Sequence, residues 1–72
     1  MIDLKFKHVG DKNECVIGSW SNFDAAVFEF NTRKHYYETL ELSVIMVSEY
    51  HMKVYSRVSN RLMLTEKLTL NS

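Results

Sequence analysis

Seventy-two residues, with nine Lys and Arg against nine Asp and Glu, make a small and formally neutral chain. Neutrality argues against a dedicated nucleic-acid binder at whole-chain level. No unbroken apolar run is longer than four residues, as in Val44 to Val47, far short of the roughly 20 residues that span a bilayer.

A chain this size buries only about 60–65% of its unfolded surface, so its stability margin is thin. Four Phe, four Tyr, four Met and one Trp nevertheless supply enough bulk for one core. There is no Pro, only two Gly and no linker, so residues 1–72 read as a single domain. The lone Cys15 excludes an internal disulfide and fits a reducing compartment. The alternating start MIDLKFKHVG lacks the apolar run of a signal peptide, so the expected location is cytoplasmic. Charge is mildly polarised: residues 1–32 hold three Lys against five acids, and residues 33–72 hold six Lys and Arg against four.

In chain order, Ile2, Leu4 and Phe6 alternate with Asp3, Lys5 and Lys7, the pattern of a half-buried strand. The turn cluster Gly10 to Glu14 leads to a second strand, CVIGSW, and closes a hairpin. Pairing Phe6 with Val16 also sets Ile2 opposite Trp20, an aliphatic–aromatic pair of the kind that stabilises sheets. At Ser21 the period changes. Phe23, Ala26, Val27 and Phe30, with Tyr37 further along, form one face of an amphipathic helix from Asn22 to about Tyr37. Ser21 or Asn22 can cap it, and Asp24 sits where the helix dipole favours an anion. The segment VFEFN also alternates, which leaves a strand there as the second choice.

From Leu40 to Leu70 the even positions stay almost wholly apolar. A fully extended segment of that length would reach about 100 Å, so it must fold back on itself. A two-residue hairpin loop switches the parity of the buried face and an odd-length loop keeps it. The constant parity therefore predicts odd loops at Ser48 to Tyr50 and Ser59 to Arg61, between strands near 39–47, 51–58 and 62–70. The expected register pairs Met46 with Met52, Val44 with Val54, Leu42 with Ser56 and Leu40 with Val58. It then pairs Val58 with Leu62, Ser56 with Leu64, Val54 with Glu66 and Met52 with Leu68. Glu66, the one charge on this parity, belongs at a wet edge or beside a cation, since an unpaired buried carboxylate is costly. A single helix through 40–58 is the rival, but it leaves Leu42, Met46 and Met52 off its stripe.

Chemistry-bearing patterns are sparse. Gly10 and Gly18 are isolated, so no phosphate-binding loop is present. His8 and Cys15 are seven apart across a turn, and the expected register points them to different sides, which speaks against a metal site. Cys15 has no orienting group to make it a nucleophile. Glu38 and Glu41 read as solvated surface. No cofactor is implied, and the class expected is not an enzyme.

Two stretches suit contacts. Arg33, Lys34, His35 and Tyr36 cluster at the end of the helix with residue types common at interfaces. His51, Lys53, Tyr55, Arg57 and Lys67 fall on the odd face of the last sheet, with Arg57 expected opposite Met63, Tyr55 opposite Thr65 and Lys53 opposite Lys67. The fold expected is a small α+β domain, ββαβββ, an antiparallel sheet with one helix packed on one face. The leading function is a protein-binding accessory or regulatory module, such as an inhibitor that occupies the surface of an unidentified partner protein. By analogy only, phages and other mobile elements encode many compact inhibitors. The alternative is a nucleic-acid-binding domain using the basic and aromatic odd face. No membrane partner is expected. A homodimer, through an edge strand or the open face, is compatible with either function.

Overall fold

The computed structural model describes residues 1–71 and has the expected ββαβββ order. β1 (Ile2–His8), β2 (Cys15–Trp20), β3 (Ser43–Ser48), β4 (His51–Val58) and β5 (Arg61–Asn71) form one antiparallel sheet in the order β2-β1-β5-β4-β3. One helix, α1 (Phe23–Thr39), covers one face. The first and last strands therefore meet at the centre, and β2 and β3 are the edges.

The helix starts where its cap allows. Asn22 is extended, and its Oδ1 accepts from the N–H groups of Asp24 and Ala25 at 2.8 and 3.2 Å. Such a cap is worth about 1 kcal/mol. The helix runs two residues past the expected Tyr37 and stops in a Schellman turn. Leu42 N–H donates to the Tyr37 carbonyl at 3.2 Å and Glu41 N–H to the Glu38 carbonyl at 3.1 Å. That turn places Glu41 at φ 61°, the left-handed region where glycine is the usual residue.

Under the helix, Leu4, Met52, Val54 and Leu68 are completely buried, and Leu70 nearly so, against Ala26, Phe30 and Tyr37. Each large side chain so buried contributes about 1.5–3 kcal/mol. VFEFN is helical, so its alternation is incidental. Phe23 departs from expectation: it is 46% exposed. The first helical turn overhangs the β3–β4 turn, where its ring meets Tyr50 edge-on at 5.3 Å instead of the sheet.

Residues 40–58 are strands rather than a helix, but the loops are shorter than parity implied. β4 and β5 are joined by two residues, Ser59 and Asn60, at φ 49° and 65°. This is the signature of a type I′ turn, whose twist matches that of the strands it joins. A bulge at Thr65 then restores the parity, so Val54 pairs with Glu66 and Met52 with Leu68 as expected. Beyond the bulge the pairs are shifted: Tyr55 faces Leu64, Ser56 faces Met63, Arg57 faces Leu62 and Val58 faces Arg61. This corrects the expected partners of Ser56, Val58, Tyr55 and Arg57. Leu62 and Leu64 consequently stand on the side opposite the helix.

The β3–β4 turn repeats the device with a bulge at Val47. Met46 pairs with Met52 and Val44 with Val54 as expected, while Ser48 meets His51 across a two-residue loop. Leu40 and Leu42 precede β3 and pair with no strand, because the Schellman turn occupies them. In the N-terminal hairpin Ile2 pairs with Trp20 as expected, but a bulge at Ile17 gives Phe6 to Cys15 instead of Val16. Gly18 makes room beside it for the Trp20 ring, which lies over the glycine: a Cβ there would stand 2.5 Å from the ring and displace it. At the other end of this hairpin, Gly10 sits at φ 95° in open space and turns the chain.

The molecule measures 42 × 26 × 18 Å with a radius of gyration of 12.4 Å. About 11 Å is typical for a compact chain of this length. β3 stays with β4 only to Tyr55, and β1 reaches β5 only to Glu66, with a last bond from Val9 N–H to the Thr65 carbonyl. Among the described residues Ser56–Val58 and Arg61–Met63 thus pair only with each other and project as a two-stranded ribbon.

Candidate functional site

Residues directly opposite in an antiparallel ladder share a face. Because Leu4, Met52, Val54 and Leu68 are under the helix, their odd-numbered neighbours face away from it. Lys7 pairs with Lys67, and Lys67 pairs on its other side with Lys53. Three lysines therefore stand in one line across β1, β5 and β4, at the roughly 4.8 Å spacing of neighbouring strands. Lys5, Thr69 and His51 make the next line, and Tyr55 and Arg57 extend the face along β4.

Five of the nine Lys and Arg lie on this uncovered face, namely Lys5, Lys7, Lys53, Arg57 and Lys67. Only Asp3 among the nine acids joins them, and it accepts a 2.7 Å hydrogen bond from Ser19 Oγ. The remaining acids lie in loops, on α1 or, for Glu66, on the helix side of β5. A neutral composition thus hides a face with a strong positive bias. Opposed like charges cost stability, so the core does not explain the lysine line.

The structure places His51, Lys53, Tyr55, Arg57 and Lys67 on one face, with Lys5 and Lys7 beside them. Arg33, Lys34, His35 and Tyr36 lie on the helix, across the sheet from that face, so the two candidate groups do not form one site. Arg33 and Lys34 are half-buried, whereas His35 and Tyr36 are exposed. Arg33 Nε lies 3.2 Å from Glu29 Oε1 one turn earlier, an ion pair whose alignment falls short of a hydrogen bond.

Glu66 corrects a further expectation. It sits on a central strand, half-buried, and its Oε2 has no hydrogen-bond partner among the described residues. It lies beside Tyr37, whose phenol is pushed well above its ordinary range, first by burial and then by the hydrogen-bond and charge influence of Glu66. Arg33 acts on the phenol in the opposite direction. Glu66 also reaches a cleft of about 230 Å³ at the root of the ribbon, lined by Lys7, His8, Asp11, Leu64 and Lys67.

Cys15 is exposed at the start of β2. Among the described residues, no three His, Cys, Asp or Glu side chains are grouped to hold a metal ion, and no helix is long and apolar enough to cross a membrane. Comparison with protein-family models, curated proteins and solved structures found no match.

Proposed function

We propose that the chain is a non-catalytic binding module whose uncovered sheet face grips the phosphate backbone of a nucleic acid. The line Lys7, Lys67 and Lys53 carries this reading: three cations directly opposed on central strands oppose folding and suit a polyanion. His51, Tyr55 and Arg57 on the same face add groups that stack on bases or bind phosphate. Fluorescence anisotropy with labelled oligonucleotides at low salt tests it. Wild type should bind with an affinity that falls steeply as salt rises, by a slope of about 0.7–0.9 per phosphate neutralised. Lys7→Gln, Lys53→Gln and Lys67→Gln together should abolish most of the binding with an unchanged circular dichroism spectrum. No binding to any oligonucleotide at low salt would sink the proposal.

A second reading, an accessory protein or inhibitor that occupies a partner protein's surface, is supported by the outer line of α1. At 100° per residue, Ala25, Phe28, Thr32 and Tyr36 fall together on the side away from the sheet. Asp24 and His35 are the only titratable residues that share this side with them, and Phe28 is 73% and Tyr36 58% exposed. A helix facing only water ordinarily shows more charge there. A specific protein retained from the native host by wild type and lost by a Phe28→Lys, Tyr36→Lys variant would favour this reading.

A further inference from the structure

The ribbon beyond Thr65 has a composition that a free arm in water does not need. An isolated two-stranded hairpin is marginal, and natural ones are kept soluble by polar side chains. Here Val58, Leu62 and Met63 are each about half exposed. No acid occurs between Glu49 and Glu66, while His51, Lys53, Arg57 and Arg61 all lie in that interval. The arm is therefore cationic and apolar together. It is also continuous with the basic face: Arg57 follows Lys53 on the same side of β4.

We infer that the ribbon inserts into the major groove of duplex DNA while the lysine line holds the phosphates beside it. This rests on the nucleic-acid reading above and specifies its substrate as a double strand. A two-stranded ribbon is one of the elements that the groove, about 12 Å wide, admits. The three pairs from Ser56 with Met63 to Val58 with Arg61 give the arm a reach of about 10 Å before its turn, comparable to the groove's depth of about 8.5 Å. Arg57 and Arg61 stand on opposite faces of the ribbon, so one can bind a guanine edge on each side. Val58, Leu62 and Met63 supply the apolar contacts that suit thymine methyl groups. The type I′ turn keeps the tip to two residues, Ser59 and Asn60, which makes it narrow.

The test measures binding to a duplex of about 20 base pairs and to each of its single strands, by anisotropy at matched salt. The duplex should bind at least tenfold tighter than either strand. Replacing Arg57 and Arg61 by Gln should weaken duplex binding tenfold or more and weaken single-strand binding by a clearly smaller factor, that of two lost phosphate contacts. Both residues are exposed, so the fold should survive, as thermal melting will verify. Substituting 7-deazaguanine, which lacks the major-groove N7 acceptor, should weaken the wild type and leave the double variant unaffected. Equal or tighter binding to single strands, with no effect of the arginine changes, overturns the groove inference and leaves the backbone-binding function standing. Failure to bind either form overturns both.

Discussion

β4 and β5 carry the same kinds of residue at both ends, yet the two ends have opposite fates. At the helix-covered end Met52, Val54 and Leu68 have no exposed surface, and on the same side of the other end Val58 and Met63 stand half in water. The difference is one of reach. A helix of 17 residues spans about 25 Å, whereas the 11 residues of β5 extend about 36 Å, so one helix cannot roof the whole strand. Hydrophobic alternation reports which residues could be buried. The length of the covering element decides which of them are.

The largest test of that contrast is Phe30→Ala against Met63→Ala. Phe30 is 1% exposed, and its truncation should cost about 3–5 kcal/mol, enough to unfold a domain this small. The Met63 change should cost under about 1 kcal/mol, because it empties no enclosed space. Chemical denaturation measures both, and similar losses would mean that the ribbon is packed in solution.

Alkaline titration comes next. The Tyr37 phenol is raised above its unfolded value of about 10, so its contribution is fully present below that pH. As pH rises above about 10 the unfolded chain loses the proton while the folded chain keeps it, and stability should fall. In Tyr37→Phe this part of the alkaline loss should vanish, whereas a Met63→Ala variant should retain it.

At the margin of the covered end, Phe23→Ala should cost only about 1–2 kcal/mol, since the ring is half-buried and loses mainly its contact with Tyr50. A loss matching that of Phe30→Ala would place Phe23 in the core after all. The smallest effect is a gain. Glu41→Gly should stabilise the protein by about 0.5–1 kcal/mol by relieving a left-handed residue at the helix end, a shift of a few degrees in melting temperature. A lower melting temperature would show that the Glu41 side chain contributes something the backbone argument omits.

The helix, the five strands and the shared face of Met46, Met52, Val54 and Leu68 were legible because burial imposes its period on the sequence. The turns were not. A two-residue loop with a bulge preserves parity just as an odd loop does, so the pattern alone could not separate them. Asn60, a residue that tolerates left-handed backbone, was the available signal for a tight turn. Of the basic face, His51, Lys53, Tyr55, Arg57 and Lys67 were readable from strand alternation. Lys5 and Lys7 were equally readable as facing outward, but only the pairing of β1 with β5 puts Lys7 beside Lys67. No local pattern encodes that adjacency.

That same pairing sets the order of assembly. The β1–β2 hairpin and the β3–β4–β5 meander each join neighbours in sequence, so each can form by closing a short loop, on a timescale of about microseconds for a hairpin. The ladder that brings Asp3 to Asn71 joins opposite ends of the described chain and carries the full entropic cost of closing it. Folding should therefore wait on this central seam, with two preformed halves docking as Leu4 meets Leu70 and Phe6 meets Leu68. The middle of the sheet, its best-buried part, is thus expected to be the last to form, and a weakened Leu4 should slow folding more than an equal loss within either hairpin.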